Sequence, residues 1–295
     1  MRDYLITFLR QQGYIEKDIS VLLNAYDAIQ ADPVAERWDE LVACYDRNAE
    51  FSISDGLAHI RAARKIADGI QIHRYTIEFL LFLCMSRTLK RRYMERGIDE
   101  SVFVHTMRDL YCKYEECKAM YDIVGSFVSD WFIGFFVLSR FGFGRLQFEL
   151  IPFGKEFENE ELSLCADSRV INIHIPRTGT PLTPQACEEA YAQAAAFFRD
   201  ELQDKTVFHC SSWLLYPEHE HFLPESSNLL SFAERFTIIE SGEYGDDHPN
   251  LWRLFDQPYQ GDPKVLPEDS SLRRAYKKWL LEGNKTGWGT GVFVY

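Results

Sequence analysis

Three short stretches of this chain gather side chains able to do chemistry, and the first is IPRTGTPLTP at 175–184. A strand that runs into a glycine-containing turn and then a helix N-terminus presents unpaired backbone N–H groups. It also presents the positive end of the helix dipole, a setting suited to phosphate or pyrophosphate. Arg177 adds a charge-assisted donor there. The stretch is neither a GxxxxGK[ST] loop nor a GxGxxG fingerprint, and the plain alternative is an ordinary strand–helix turn. The second stretch is His209, Cys210, Ser211 and Ser212. Neighbours on a strand point to opposite faces, so His209 cannot activate Cys210, whereas His174 on an adjoining strand could. The alternative is a buried strand cysteine. The third is PEHEHF at 217–222, where His219 and His221 would share one face of a strand and could ligate an ion with His209 or a carboxylate. Without an HExxH pattern or a cysteine pair, this segment reads better as a polar loop, and no metal is expected.

The elements that must position these residues follow from periodicity. Residues 1–125 read as helices. Tyr4, Leu5, Phe8 and Leu9 recur at helical spacing and stop at Gly13; Leu22, Leu23, Tyr26 and Ile29 repeat the pattern before Asp32-Pro33. Asp55 is a candidate cap for a helix over 56–67. A long helix over 72–96 is expected to end in a basic last turn, with the run Arg87, Lys90, Arg91, Arg92 solvating its C-terminus before Gly97. Asp99 caps another, with Phe103, Met107, Leu110, Tyr111 and Tyr114 on one face.

The pattern changes after the apolar segment 127–138. RLQFELIPF (145–153) alternates like a half-buried strand, with Gly142 and Gly144 at its entry, and VINIHIP (170–176) is a more apolar strand. Thr183 and Pro184 are strong start signals for a helix with Cys187, Ala190, Tyr191, Ala194 and Phe198 on its apolar face. A strand over 206–215, a helix over 227–236, a strand over 237–244 and a helix over 270–281 follow. Gly287, Gly289 and Gly291 alternate within a closing strand, which implies close backbone approach rather than a phosphate loop. The fold class is therefore α+β or mixed α/β, with a helical N-terminal domain over 1–130 and a mixed sheet flanked by helices over 131–295.

Bulk properties bound the function. With 32 basic and 45 acidic residues the net charge is −13, a balance that disfavours nucleic acid and anionic membrane and favours a cationic partner such as an amine. Seven scattered cysteines without a CxxC pair argue against a disulfide framework and for a reducing, cytoplasmic setting. The longest apolar runs are too short to cross a bilayer.

The strings GRLQFE, NIHIPRTG, CSSWLL, LPESSNLL and the closing GWGTGVF are similar to those of a bacterial family with an N-acyltransferase N-terminal domain and a GNAT-like C-terminal domain. The resemblance spans nearly the whole chain. It implies an acyl-CoA donor and an amine acceptor, with the donor's pyrophosphate held by Ile175, Arg177, Thr178, Gly179, Thr180 and Thr183. Attack on a thioester needs a neutral amine, for which the candidate bases are Glu149 and His174; Ser211, Ser212 and Tyr216 are candidates to protonate the leaving thiolate. One departure stands out. The [QR]xxGx[GA] pattern usual at this turn is absent, and Pro181 removes one amide donor. Two other readings stay open: a non-catalytic binding or regulatory protein, and a hydrolase using Cys210 with His174 or His219.

Overall fold

The computed structural model describes residues 1–202 and 205–295, which form two compact units, Met1–Gly142 and Phe143–Tyr295. The first unit is helical: α1 (Arg2–Gln12), α2 (Glu16–Ala31), α3 (Ala35–Arg47), α4 (Ile53–Ile70), α5 (Arg74–Glu95), α6 (Glu100–Tyr121) and the single turn α7 (Ile133–Phe136). Its centre is α5, where every residue from Thr76 to Ser86 is buried. A helix apolar on all sides must be surrounded, and α1, α2, α3, α4 and α6 all pack on it. Gly13 ends α1 at φ +91°, a conformation that glycine adopts without strain.

Three local expectations change. Helix α4 starts at Ile53, because Ser52 is the cap and Asp55 is the third residue of a capping box that returns to the Ser52 amide. Helix α3 was not anticipated. Within the basic run of α5, Arg92 serves that helix: buried, it donates to the carbonyls of Tyr45 and Asn48 at 2.5 and 2.6 Å and lies over the Tyr45 ring. A buried guanidinium thus satisfies the carbonyl end of α3, where the helix dipole favours positive charge. No described helix is long and apolar enough to cross a membrane.

The remaining elements are β1 (Arg140–Phe143), β2 (Leu146–Pro152), the small hairpin β3 (Phe157–Glu158) and β4 (Ser163–Leu164), β5 (Arg169–His174), α8 (Pro184–Phe197), β6 (Val207–Ser212), α9 (His219–Phe222), α10 (Asn228–Ala233), β7 (Thr237–Glu243), α11 (Leu251–Phe255), α12 (Ser271–Leu281) and β8 (Gly287–Val294). The main sheet has the order β1-β2-β5-β6-β8-β7. Strand β5 pairs antiparallel with β2 and parallel with β6, so the sheet is mixed. Period-two alternation then sorts the side chains. Phe148, Ile173, Phe208 and Phe293 share the face covered by α8, where the Tyr191 ring sits 5.2 Å from Phe208 and 5.1 Å from Phe293. On the other face, the β3–β4 hairpin closes one end with Phe153, Leu162 and Leu164 packed on Val170, Val207 and Val292. The three C-terminal glycines need their lack of side chain: a Cβ at Gly289 would meet the Leu215 carbonyl oxygen at 2.1 Å.

Candidate active site

The second face of the sheet turns polar towards the C-terminal ends of β5 and β6. Register puts Glu149 opposite Asn172 and Asn172 beside His209, and alternation adds His174 to the same face. These side chains form a continuous chain. His209 Nδ1 lies 2.9 Å from Asn172 Oδ1, Asn172 Nδ2 lies 3.2 Å from His174 Nε2, and His174 Nε2 lies 3.2 Å from Glu149 Oε2. Glu149 and His174 are 19% and 21% exposed, which leaves the pair reachable from solvent. His209 sits deeper, edge-on to Phe153 at 5.9 Å. Burial, with smaller effects of Lys155 and His174, pushes its pKa down to about 4, so it is neutral at pH 7.

The parallel ladder ends beside this cluster. β5 and β6 pair only at Ile171–Phe208 and Asn172–His209, although β5 continues to His174 and β6 to Ser212. By contrast, the β2–β5 and β6–β8 ladders each run over six positions. Beyond Asn172 the two parallel strands run on without a further paired position, and a place where parallel strands part at their C-terminal ends is a common ligand-binding crevice.

The turn after β5 is exposed and pinned from below. Arg145 donates to the carbonyls of Pro176 and Thr180 at 2.7 and 3.1 Å. Gly179 turns the chain at φ +79° and is exposed, with free space where a Cβ would stand. Thr183 caps α8, its hydroxyl accepting from the Ala186 amide at 3.2 Å, with Pro184 at the first position. The amide inventory is lean. Thr178 N–H goes to the Pro176 carbonyl and Thr180 N–H to the Thr178 hydroxyl; Pro181 and Pro184 have none. None of these bonds uses the amides of Gly179, Leu182, Thr183 or Gln185, which remain for an anion. Arg177 is committed to Asp256, with Nη2 to Oδ2 at 2.7 Å.

Other residues singled out in the sequence lie away from this cluster. Cys210 is 0% exposed, points to the α8 face, and burial pushes its thiol up to about 12. PEHEHF holds the short helix α9 rather than a strand, so His219 and His221 do not share a face. His219 is buried against the Tyr276 hydroxyl, and His221 is exposed beside Glu218. Ser211 accepts from Thr290 at 2.8 Å. Asn172, His209, Arg145 and Asp256 gained their place only through pairings of strands and loops distant in sequence; for the first two, the period-two spacing from His174 and Ser211 was the available signal.

Residues 3–138 match the N-acyltransferase N-terminal domain and residues 140–293 the GNAT-like C-terminal domain. The chain belongs to this two-domain family. Solved structures of similar fold agree with that membership. An acyltransferase mutant in complex with octanoyl-CoA is 23% identical, aligns over 99% of this chain and 88% of its own, and has a TM-score of 0.76. An acyltransferase in complex with decanoyl-CoA and teicoplanin is 22% identical over 98% of this chain and 99% of its own, at a TM-score of 0.64. A comparison with curated protein sequences gives no significant match. Membership in the family fixes the architecture, a helical region followed by a mixed sheet with flanking helices, as the sequence leads one to expect.

Proposed function

We propose that the protein transfers an acyl group from an acyl-CoA thioester to an amine, with Glu149 and His174 acting together as the base. The observation that carries this reading is the parallel ladder that stops at Asn172–His209 beside the Glu149–His174 pair and just before the turn into α8. An acyl-CoA fits that arrangement. The amides of Gly179, Leu182, Thr183 and Gln185, with Arg177, would take the pyrophosphate, and Ile175, Thr178 and Thr180 would shape its path. The β5 amides beyond Asn172 would polarise the thioester carbonyl as charge develops on its oxygen. The ligands of the similar structures, octanoyl- and decanoyl-CoA, and the teicoplanin in one of them support an acyl-CoA donor and a separate acceptor.

The chemistry balances without a covalent enzyme intermediate. The amine nitrogen forms the C–N bond, the C–S bond breaks, the nitrogen's proton goes to the Glu149–His174 pair, and the thiolate leaves to be protonated as free CoA. Cys210 is assigned to the core, which disfavours the hydrolase reading. The surplus of acidic residues supports a cationic acceptor, and seven unpaired cysteines support a reducing, cytoplasmic setting in a bacterial cell. The test is incubation with octanoyl-CoA and a panel of primary amines while CoA thiol release and the amide product are followed. Amine-dependent release with an N-acylated product is expected; release without amide product would overturn the reading.

A further inference from the structure

The turn from β5 into α8 has no amide hydrogen at Pro181, and a guanidinium stands on the opposite side of that same peptide. Arg145 lies in the short turn between β1 and β2 and reaches the loop from beside α8. Gly144 before it adopts φ +54°, and a Cβ there would lie 3.9 Å from that of Ala190. Arg145 Nη1 donates to the Pro176 carbonyl at 2.7 Å and Nε to the Thr180 carbonyl at 3.1 Å. A guanidinium only donates, so both bonds have a fixed direction. The described peptide bonds are trans, so a carbonyl turned to Arg145 sends the nitrogen end of its peptide the other way. For one peptide that end is the Arg177 N–H; for the other it is the Pro181 ring. Arg145 is half-buried and Pro176 buried, while Gly179, Thr180 and Pro181 are exposed, so the oxygens are held on the inner side. Proline gives up a donor, but its peptide keeps a dipole, and here the negative end of that dipole is clamped inward.

We infer that Arg145 is a positioning residue of the donor site, which keeps the Pro176 and Thr180 oxygens away from an incoming pyrophosphate and so suits a proline-containing loop to an anion. The inference rests on the acyl-transfer reading above for the identity of that anion, whereas the clamp is a property of the resting protein. The bonds inside the loop are short-range: Thr178 N–H reaches the Pro176 carbonyl at 3.0 Å, and the Thr178 and Thr180 hydroxyls lie 2.7 Å apart. Arg145 spans both ends of this stretch and ties them to another element, the β1–β2 turn. Its charge also reaches the start of α8, where it opposes the upward push of burial on the Cys187 thiol. There it has the same sign as the helix dipole and adds to its pull on an anion. The two arginines of the turn therefore differ. Arg177 pairs with a carboxylate that a phosphate can displace, whereas the bonds of Arg145 to the two carbonyls persist when the anion arrives.

A donor cut short before the pyrophosphate isolates this role. Octanoyl-pantetheine carries the same thioester as octanoyl-CoA but neither pyrophosphate nor nucleotide. With one amine acceptor held constant, Arg145→Ala is expected to raise the KM for octanoyl-CoA about tenfold to a hundredfold with kcat nearly unchanged. The same variant is expected to keep the wild-type kcat/KM for octanoyl-pantetheine, which also shows that it is folded. Arg145→Lys can reach one carbonyl but not both, and is expected to fall between the two proteins. If Arg145→Ala does not fold, Arg145→Lys carries the same comparison. Calorimetry with CoA alone is expected to show the loss of affinity without any turnover. An equal loss with both donors in a folded variant, or no loss with either, overturns the inference. A wild type that binds CoA but transfers no acyl group, with binding weakened in Arg145→Ala, ends the acyl-transfer reading and leaves the clamp standing. Acyl transfer with CoA affinity unaltered in Arg145→Ala does the reverse, and a wild type that binds no CoA overturns both.

Discussion

Arg177 and Asp256, 79 residues apart in the chain, form a two-pronged ion pair that ties the turn before α8 to the end of α11. The same carboxylate accepts from Arg273 at 2.5 Å, and Arg273 is itself held by Asp269 and the Leu254 carbonyl. A carboxylate and a phosphate offer a guanidinium the same paired acceptors. A donor phosphate reaching this turn therefore competes with Asp256 for Arg177.

Removing that competitor is expected to tighten donor binding. Asp256→Asn keeps the shape but gives up the charge, while Arg273 retains Asp269 and Leu254. The pair is part-exposed, so its loss corresponds to about threefold to tenfold in the dissociation constant of CoA, read by calorimetry. Arg177→Ala is expected to weaken binding. An Asp256→Asn protein that binds CoA no better than the wild type rules out the competition.

Glu149 and His174 are expected to fail as a unit. Each change, Glu149→Gln or His174→Gln, removes one member of the hydrogen-bonded base pair and is expected to lower kcat by about a hundredfold to ten-thousandfold, the range for general-base groups. The double variant is expected to be no worse than the poorer single one, because groups that act on one proton are not additive. Losses that multiply would mean that the two side chains act independently. Circular dichroism and thermal melts separate either outcome from loss of fold.

Local signals carried much of this structure. Thr183 and Pro184 start α8, Asp99 caps α6, Ser270 caps α12 and Gly13 ends α1, each because a cap acts within one helical turn of its own position. Alternation likewise separated Glu149, Asn172 and His174 from the apolar face of their strands. Pairing across distance was not legible. The β3–β4 hairpin has strands of only two residues, too short to show alternation, and α3 has mixed composition whose buried residues, Trp38 and Tyr45, are seven apart. Asp256 and Arg145 carry no local mark of their contacts with the turn; only the folded chain brings them there. The meeting of His209 with Asn172 needed a parallel register that no single strand encodes.

Thiol chemistry offers a direct check on Cys210. The thiolate is the reactive species, and burial pushes the Cys210 pKa up to about 12 with no exposed surface. Cys165 is exposed, and a hydrogen bond with Ser168 holds its pKa below the usual thiol range. A maleimide at pH 7 is expected to label Cys165 first and Cys210 only after unfolding, as mapped by peptide mass spectrometry. Cys210→Ala is expected to retain acyl transfer and to lose about 1–2 kcal/mol of stability through the emptied core volume. Rapid labelling of Cys210 in the folded protein, or loss of activity in Cys210→Ala without loss of fold, would return the cysteine to the mechanism.

Acid is expected to destabilise the protein through its buried imidazoles. Burial pushes both His209 and His219 down to about 4, while an unfolded histidine titrates near 6.5. Between these values the unfolded chain binds protons that the folded chain refuses, so stability falls as pH drops from about 6.5 to about 4 and levels off on either side. His105 and His248 shift in the same direction, also by burial. A shift of that size corresponds to at most about 3 kcal/mol for a fully buried group. His219, packed under Tyr276, is expected to come nearer that ceiling than the partly exposed His209. Urea unfolding at pH 7.5, 5.5 and 4.5 reads the slope directly, and both His219→Asn and His209→Gln are expected to flatten it while lowering stability at pH 7.5 through lost contacts. An identical slope in the wild type and in both variants would mean that these two side chains keep ordinary histidine affinities in the fold, and that the acid sensitivity lies elsewhere.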